Sequence, residues 1–456
     1  MSDRPSSAAA LPVAVIGAGF SGTVAAIQLL AQLPPERPVL LCERAERFGR
    51  GRAYGTGNPD HLLNVRAANM SAFPDRPGHF EAWLEGAAPE EGVRRGPAGT
   101  FAARGLYGRY LAELLTGAVT EGAAPRLHLV NEAVTDIAPE GGRLVLTSEG
   151  GRRIPAAAAV LAMGNLAAPD EPASRHRLDP WRPEGFGRLH PDRAVLVVGT
   201  GLSMVDAVMT LRRHGFSGAI VAVSRRGQVS TVHEPAGAWP RPELTPAETA
   251  SLTRLLVRIR REVAAAAAAG IGWHGVIDAL RPVTDALWLG LPERERARFL
   301  RHLRPFWDVH RHRSAPPAGA AVAAEIAAGT LRIRAGRILA IEDRPDEAVV
   351  AFRPRGAQAV ERLPVQGILD ARGIGRVAET ADPLLRRLIA RGLVRPGPFG
   401  IGLDVRPDLS VAGETPAPLW TLGPLLRGAF WECTAVPDIR NQAAALAQAV
   451  AAGLRS

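Results

Sequence analysis

Val13-Ala-Val-Ile16 and the six residues behind it, Gly17-Ala-Gly19-Phe-Ser-Gly22, decide the fold of this chain. The first four residues are an apolar run typical of a buried strand, and residues 23–33 have the apolar spacing of a helix. A second apolar run, residues 38–42, ends at Glu43, 21 residues after the last glycine. The order strand, glycine turn, helix, strand and acid predicts a unit that binds a dinucleotide.

Each residue of this turn has a physical task in such a site. Gly17 permits the tight turn, Gly19 lets the backbone reach a pyrophosphate, and Gly22 lets the helix pack closely on the strand. The free N–H groups of the first helical turn, where Ser21 lies, favour phosphates together with the helix dipole. Glu43 would accept hydrogen bonds from a ribose. We therefore predict that these five residues bind a cofactor; the alternative is a plain strand, turn and helix.

The same pattern occurs a second time in the middle of the chain. Residues 194–198 are a strand-type run, Gly199-Thr-Gly201-Leu-Ser203-Met204 is a glycine turn, and residues 205–213 have helical spacing. Methionine replaces the third glycine of the pattern. We predict that Gly199, Gly201 and Ser203 hold the phosphates of a second cofactor.

The residues that end the next strand predict which cofactor this is. Residues 218–223 lead into Ser224-Arg225-Arg226, where the first unit has Glu43. An acid suits a free ribose hydroxyl, whereas arginines suit a ribose 2′-phosphate. Arg225 and Arg226 therefore predict NADPH; the alternative is two solvated arginines at the end of a strand.

The segments behind the two glycine turns are duplicated as well, which predicts the fold class. Each half contains a short antiparallel meander and then a returning strand that ends in a glycine, Gly164 in the first half and Gly373 in the second. Two copies of one plan predict an α/β protein with two Rossmann-like dinucleotide-binding domains and an inserted helical block. The predicted boundaries are 1–190 and 365–456 for the first domain, 191–243 and 329–364 for the second, and 244–328 for the insert.

Two local signals refine the helical insert. Thr245-Pro-Ala-Glu248 has the pattern of a capping box, with proline at the first helical position. The proline-rich segment 315–319 is interpreted as a linker to the next strand.

Length and composition exclude several classes of protein. The chain has 456 residues, enough for two to three domains, and 46% of them are apolar. It contains no lysine, so all 55 basic residues are arginine and lysine Schiff-base chemistry is excluded. The net charge is +10, but the arginines are scattered among acidic residues and do not alternate with aromatic ones. We therefore expect no nucleic-acid partner.

Cysteine usage and hydropathy predict a soluble protein without metal. Cys42 and Cys433 form no CxxC pair, which argues against a disulfide framework, a zinc site and a dithiol redox centre. No apolar run reaches the roughly 18 residues of a membrane span. No signal peptide precedes the first strand, so we expect a cytoplasmic protein without a membrane partner.

Three further segments carry a resemblance to a known family. They are Gly49-Arg-Gly-Arg-Ala-Tyr-Gly-Thr56, His61-Leu-Leu-Asn-Val65 and Asn69-Met-Ser-Ala-Phe-Pro74. With the two glycine turns they resemble a bacterial group of FAD-NAD(P)-binding proteins, which is distantly similar to the N-hydroxylating and Baeyer–Villiger flavin monooxygenases. In such proteins an FAD domain of glutathione-reductase-like plan is interrupted by an NAD(P)H domain. The resemblance implies that Arg52, His61, Asn64 and Met70 lie near FAD.

The C-terminal segment agrees with this resemblance. Residues 419–422 form a strand-type run that ends in Gly423, and a last helix begins near Pro437. In the resembled enzymes the N-terminus of that helix points at the flavin, where its dipole stabilises negative charge. The resemblance therefore implies that Gly423 contacts FAD. The aspartate with which many relatives hold the ribityl chain is missing here, because Pro424 follows the glycine.

The densest polar cluster of the chain, residues 307–313, supplies candidates for the active site. We expect it either to face the cleft between the domains, where it would bind an anion, or to be a solvated helix end. Asn64, His310 and Arg311 are the weak candidates for catalytic residues, and a metal site is not expected because spaced ligands are lacking. His233 could border the nicotinamide, and we expect Cys433 to serve packing.

These observations lead to a functional hypothesis with open alternatives. The chain is expected to be an FAD-dependent, NADPH-oxidising oxidoreductase with a small-molecule substrate. The first choice is a monooxygenase that uses molecular oxygen through a flavin C4a-hydroperoxide. The alternatives are a reductase or dehydrogenase without oxygen insertion and, third, a nucleotide-binding sensor without catalysis. The oligomeric state and the substrate stay open.

Overall fold

Two sheets carry the two glycine turns, a parallel one in the first half of the chain and a mixed one in the second. The computed structural model describes residues 10–87, 91–122, 125–167, 174–181 and 183–455. The strands of the first half are β1 (Val13–Ile16), β2 (Val39–Cys42), β3 (Val93–Gly96), β4 (Gly99–Ala102), β5 (Leu127–Val130), β6 (Val134–Glu140), β7 (Arg143–Ser148), β8 (Arg153–Ala156) and β9 (Ala158–Leu161). Those of the remainder are β10 (Arg177–Leu178), β11 (Val195–Val198), β12 (Ile220–Ser224), β13 (Leu331–Asp343), β14 (Ala348–Pro354), β15 (Glu361–Val365), β16 (Gly367–Asp370) and β17 (Leu419–Thr421).

The helices alternate with these strands and concentrate in the insert. Those outside it are α1 (Phe20–Gln32), α2 (Gly51–Tyr54), α3 (His79–Ala87), α4 (Arg104–Thr120), α5 (Leu202–Arg213), α13 (Pro383–Ala390) and α14 (Val436–Gly453). Those of the insert are α6 (Pro246–Thr249), α7 (Leu252–Ala268), α8 (Trp273–Leu280), α9 (Thr284–Gly290), α10 (Glu293–Arg298), α11 (Arg304–Arg311) and α12 (Pro316–Ala327). A π-helical turn, Phe299–Leu303, joins α10 to α11.

The first sheet has the strand order β17-β9-β1-β2-β5, and all its pairs are parallel. One face packs on α1, α4 and α14, and the other packs on the small sheet β6-β7-β8 and on α13. Because both faces are covered, β1 and β9 are buried along their whole length and consist of apolar residues. The sheet confirms the predicted α/β fold of the first half.

The second sheet has the order β10-β16-β11-β12-β13-β14-β15. The 13-residue strand β13 pairs with β12 in parallel through residues 331–335 and then with β14 antiparallel through residues 336–343. The meander of this half is therefore continuous with its parallel sheet, whereas the meander of the first half is a separate three-stranded sheet. Both halves have the predicted two-domain plan, but they join their meanders differently.

The predicted return to the first domain at residue 365 is too early. Strand β16 pairs with β11 in the second sheet, so the chain leaves that sheet only after Asp370. Strand β10 also pairs with β16, although residues 177–178 fall within the predicted first domain. The reason is that each glycine turn needs its own returning strand beside it. Gly17 and Gly199 each lie so close to that strand that a Cβ would meet the carbonyl oxygen of Ala162 or Ala371 at 2.6 and 2.4 Å.

The helical insert lies between β12 and β13 and contains seven helices within the described residues. The predicted capping box is present: the Glu248 N–H donates to the Thr245 hydroxyl at 3.3 Å, and the Glu248 carboxylate accepts from the Thr245 N–H at 2.8 Å. The predicted linker at 315–319 is wrong, because α12 begins at Pro316. Proline suits the first helical position, where its missing N–H would have no partner in the helix.

Within the described ranges, the helices fall short of the length and apolar character that a membrane crossing requires. In the same ranges no group of three or more His, Cys, Asp or Glu side chains could hold a metal ion. Both cysteines are free and buried, in cores on opposite faces of the first sheet. Burial raises the pKa of Cys42 to about 12 and that of Cys433 still further, so neither thiol ionises at neutral pH.

Two glycine-to-alanine substitutions test the packing of the turns. A Cβ at Gly22 would lie 1.8 Å from the Gly17 carbonyl oxygen, whereas a Cβ at Gly201 would meet nothing within 4 Å. We expect Gly22→Ala to lower the free energy of unfolding by about 3 kcal/mol or more, because backbone must move. Gly201→Ala should cost less than about 1 kcal/mol. Denaturant unfolding of both variants checks this, and equal losses would contradict it.

Candidate active site

The first glycine turn lies at the carboxyl end of β1 and has the geometry of a phosphate site. Gly17 has a φ of +100° and donates its N–H to the Cys42 carbonyl at 2.8 Å. Helix α1 begins after Gly19 without a side-chain cap, so its first N–H groups are free to bind an anion. Gly51 on the following loop approaches closely, since the Cβ position of Gly19 is 3.6 Å from its Cα. The loop 49–56 thus covers the turn.

Glu43 is held beside this turn at the end of β2. Its carboxylate accepts the N–H of Ala18 at 2.8 Å and that of Ala45 at 3.1 Å. Each carboxylate oxygen accepts more than one hydrogen bond, so lone pairs stay available for a ribose. The predicted role of Glu43 therefore fits its position, and the structure adds a second one, because Glu43 fixes the turn itself.

Gly164 and Gly423 lie at the same edge of the first sheet, after β9 and β17. Both have positive φ angles, +68° and +72°. A Cβ at Gly423 would come within 2.8 Å of the Ser21 hydroxyl, so that strand end packs against the start of α1. The N–H of Gly423 donates to the Gln442 side-chain oxygen at 3.0 Å. Gln442 of α14 is thus a polar partner of the Gly423 backbone at a strand end that lacks the expected aspartate.

Two residues expected near FAD make defined contacts with other protein groups. Arg52 is exposed on α2 and is 3.7 Å from the carboxylate of Asp179. His61 is 1% exposed and joins the two domains. Its Nε2 donates to the Asp206 carbonyl at 3.0 Å, and its Nδ1 accepts from Thr56 at 2.9 Å. Both ring nitrogens of His61 are therefore used in fastening the loop to α5, and sequence alone does not distinguish that task from cofactor binding.

The second glycine turn repeats the first at the end of β11. Gly199 has a φ of +120°, and α5 begins after Gly201 without a side-chain cap. Ser203, half-buried, lies in the first turn of that helix. Since the space beside Gly201 is open, this turn and the free N–H groups of α5 fit a second pyrophosphate.

The two arginines after β12 have different surroundings. Arg225 is exposed. Arg226 packs against the insert, where its guanidinium lies 5.1 Å from the centre of the Phe306 ring and 3.4 Å from the His302 carbonyl. Among the described residues, the insert therefore contacts Arg226 and leaves Arg225 exposed.

A cavity of about 370 Å³ lies between residues 49–74, called the cofactor loop below, and the second domain, the insert and α14. Asn64 and Met70, two predicted residues, line it from the loop. Residues 434–436 line it from the start of α14, whose first turn has no side-chain cap. The helix therefore presents its positive end to the cavity, as the resemblance implied.

The cluster 307–313 divides between this cavity and the surface. Arg311, His312 and Arg313 line the cavity, and Arg311 pairs with Glu432 at 2.8 Å. His310 does not line it: its ring lies edge-on to Trp273 at 4.8 Å, and its Nδ1 lies 2.7 Å from a helix carbonyl. The weak candidate His310 is thus separated from the site, because neighbouring residues at a helix end point in different directions.

His233, which could border the nicotinamide, lines the cavity from the loop after β12. Its Nε2 donates to the Asn64 carbonyl at 3.0 Å, so the neutral ring has Nδ1 as an acceptor. Desolvation lowers the pKa of His233 to about 4, and the charges of Arg313 and Arg66 add to this. His233 therefore stays neutral at physiological pH.

Sequence reasoning missed three lining residues, Arg66, Asp278 and Arg281, which form a charged wall with Arg313 of the predicted cluster. Arg281 pairs with Asp438 at 3.4 Å, and Arg313 pairs with Asp278. These residues come from the cofactor loop, from the end of α8 and from the segment after α11. A chain with 55 arginines gives no local signal for the few that meet.

Together these features define a class of protein. The chain has two sheets whose parallel strands each carry a glycine turn, and the second sheet is inserted in the course of the first domain. This is the fold of flavoproteins with two dinucleotide-binding domains. Residues 14–166 match the family described as FAD-NAD(P)-binding, in agreement with the predicted cofactors. No curated protein matches the chain.

Solved structures give the same fold over nearly the whole chain. The ornithine N-hydroxylase of Kutzneria sp. 744, with reduced FAD, NADP⁺ and L-ornithine, is 15% identical, with a TM-score of 0.62 over 97% of this chain and 99% of that one. The L-lysine 6-monooxygenase of Pseudomonas syringae is 16% identical, with a TM-score of 0.61 over 98% and 99%. The bacillithiol disulfide reductase of Bacillus cereus is 13% identical, with a TM-score of 0.54 over 97% and 99%.

The interface between the domains gives one prediction. The Asp206 carboxylate is 2.9 Å from the Arg104 guanidinium, and both side chains are largely buried. Asp206→Asn should lower the free energy of unfolding by about 3 kcal/mol, because it leaves a buried charge unpaired. Denaturant unfolding measures this on the two single variants and on the double variant that combines Asp206→Asn with Arg104→Gln. The double variant should lose less free energy of unfolding than the two single variants lose together. The exposed pair of Asp60 with Arg213 is the control, and Asp60→Asn should cost less than about 1 kcal/mol.

The lowered pKa of His233 gives a prediction about pH. The folded state binds this proton near pH 4 and the unfolded state near 6.5, so the contribution of His233 to stability falls as the pH falls between these values. From pH 7.5 to 5.0 the wild type should lose about 2 kcal/mol more than His233→Gln does. Unfolding at both pH values measures this difference. The exposed His128→Gln should behave as the wild type, and an unchanged loss in His233→Gln would contradict the assignment.

Proposed function

We propose that this protein is an FAD-dependent, NADPH-oxidising monooxygenase that hydroxylates a small molecule. The observation that carries the proposal is the cavity lined by the cofactor loop, the loop after β12 and the start of α14. Such a cavity brings the reacting ends of two cofactors and a substrate to one place. FAD, when bound, supplies acceptance of hydride from NADPH and activation of oxygen.

The residues of the chain would act by binding, orientation and exclusion of water. The turn at Gly17–Gly22 with Glu43 would hold FAD, and the turn at Gly199 with Ser203 would hold NADPH. Helices α8 and α11 of the insert cover the cavity from one side, with residues 278, 281 and 311–313 in its wall. Exclusion of water protects a reactive oxygen adduct from breakdown, which supports a monooxygenase. The positive end of α14 would stabilise negative charge on the reduced cofactor.

The interface between the domains also favours hydroxylation. His61, Asp206, Arg104 and Thr210 form a buried polar contact between the cofactor loop, α4 and α5. Such a contact holds the second domain in one orientation beside the cavity. NADP⁺ could then stay bound next to the substrate during the whole reaction, as a monooxygenase of this kind requires.

A reductase or dehydrogenase without oxygen insertion is the second candidate. It is favoured by the fold shared with the bacillithiol disulfide reductase. A dithiol mechanism within this chain is unsuited to its cysteines, because Cys42 and Cys433 lie in cores on opposite faces of the first sheet. A reductase would therefore have to pass electrons from the flavin directly to an external acceptor.

Rapid mixing with oxygen tests the proposal. Purified protein should be yellow and should release FAD on denaturation, and colourless protein that cannot be reconstituted would overturn any flavoenzyme. After reduction by NADPH, mixing with oxygenated buffer should give a transient that absorbs to the blue of oxidised flavin and is prolonged by NADP⁺. Direct return to oxidised flavin with peroxide, unaffected by NADP⁺ and by substrate candidates, would favour the reductase.

The choice of nicotinamide cofactor gives a separate prediction. Arg225 is exposed at the end of β12, whereas Arg226 contacts Phe306. If Arg225 holds the 2′-phosphate, Arg225→Ala should raise the NADPH concentration for half-maximal flavin reduction about tenfold and leave that for NADH unchanged, since about 1.4 kcal/mol of binding is lost. Arg226→Ala is the matched control, and it should change the concentrations of NADPH and NADH for half-maximal flavin reduction by the same factor. An unchanged NADPH/NADH ratio in Arg225→Ala would assign this arginine to the surface.

A further inference from the structure

The wall of the 370 Å³ cavity is rich in positive charge. Four arginines line it, Arg66, Arg281, Arg311 and Arg313, and the only acid in the described lining is Asp278. Two further acids lie just behind the wall: Glu432 pairs with Arg311 at 2.8 Å, and Asp438 pairs with Arg281 at 3.4 Å. Even with these acids counted, the wall retains one arginine in excess.

Arg66 is the arginine without a carboxylate. Its Nε donates to the Ala98 carbonyl at 2.6 Å and its Nη2 to the Glu234 carbonyl at 3.4 Å. Both partners are neutral backbone groups, so the guanidinium charge is not compensated within the described residues. In the low-dielectric surroundings of a cavity, an uncompensated charge attracts an anion strongly.

Two more donors in the wall lack a partner. The Nε atoms of Arg311 and Arg313 are buried and have no hydrogen-bond partner among the described residues. Arg313 as a whole is only 2% exposed. Buried donors are nearly always satisfied in folded proteins, so both guanidinium groups have hydrogen-bonding capacity beyond their ion pairs.

The two histidines of the wall are neutral and leave its net charge unchanged. The two lining histidines, His233 and His312, stay unprotonated because desolvation and neighbouring arginines lower their pKa values to about 4 and about 3. The uncapped start of α14, residues 434–436, adds the positive end of a helix dipole.

Desolvation raises the pKa of Asp438 to about 6, so this acid weakens as a counter-charge on mild acidification.

We propose that this cavity binds its substrate as an organic anion, with a carboxylate seated against Arg66 and the buried arginines 311 and 313, and that it rejects cationic amines. The proposal rests on the proposed function, because it states what the flavin site would act on. The hydroxylases that share its fold carry L-ornithine or L-lysine in their names, and these amino acids differ from an organic anion in their net positive charge. An ammonium group would meet the uncompensated guanidinium group of Arg66 and the positive end of α14 here.

Three probes of one shape and different charge test the proposal. Benzoate, benzamide and benzylamine carry charges of −1, 0 and +1 on the same ring. Calorimetric titration of the flavin-loaded protein should show benzoate binding about tenfold more tightly than benzamide or better, and no binding of benzylamine. The preference for benzoate should weaken as salt is raised. Equal binding of benzoate and benzamide, or preferential binding of benzylamine, overturns the proposal.

Variants of Arg66 locate the anion. Arg66→Gln should abolish the preference of benzoate over benzamide, whereas Arg66→Lys, which keeps the charge, should retain most of it. Arg254→Gln, at an exposed arginine on α7, should behave as the wild type. Flavin absorbance of each variant shows that the fold is intact. A preference that survives in Arg66→Gln, with flavin bound, removes Arg66 from the site.

Saturating NADP⁺ distinguishes a substrate from a cofactor phosphate as the anion. If the arginines serve a substrate, benzoate should bind with unchanged affinity in the presence of NADP⁺. If NADP⁺ displaces benzoate, the arginines hold a cofactor phosphate and the proposal fails. The rapid-mixing experiment with oxygen reports the proposed function separately, so a yellow, oxygen-active protein without anion preference refutes only the present inference.

Discussion

The close contact between each glycine turn and its returning strand is the constraint on which the rest of the structure depends. A Cβ atom at Gly17 would clash with the carbonyl oxygen of Ala162, and one at Gly199 would clash with that of Ala371. Any side chain at either glycine would push the returning strand away from β1 or β11 and open the sheet. Because the strand must lie there, each turn points its free N–H groups at the carboxyl edge of its own sheet, where ligands of such folds bind.

The relative position of the two domains depends on a different kind of interaction. In a buried interface, His61 donates a hydrogen bond to the Asp206 carbonyl and Arg104 forms an ion pair with the Asp206 carboxylate. Polar contacts of this kind need defined directions, so they select one orientation of the second domain, whereas an apolar interface would tolerate sliding. That orientation also forms part of the cavity wall, since His233 of the second domain meets Asn64 of the cofactor loop there.

Electrostatics then gives the cavity its chemical character. The helices of the insert bring Arg281, Arg311 and Arg313 to the start of α14, and the carboxylates behind them neutralise most of their charge. The remaining charge on Arg66 and the uncapped helix set the sign of the potential. The protein shares its fold with hydroxylases of cationic amino acids. A shared fold does not imply a shared substrate, because the substrate contacts the side chains that line the cavity and not the sheets.

The two dinucleotide domains, the glycine turns, the place of Glu43 and the capping box at Thr245 could be predicted from the sequence, because each depends on residues close together in the chain. Tertiary packing was needed to show that β16 closes the second sheet, that His61 joins two domains and that Arg226 packs on Phe306. The same holds for the cavity, whose wall combines residues from the cofactor loop, the loop after β12, the insert and α14. Contacts between residues more than a hundred positions apart leave no local pattern, and among so many arginines only burial and pairing show which ones form a site.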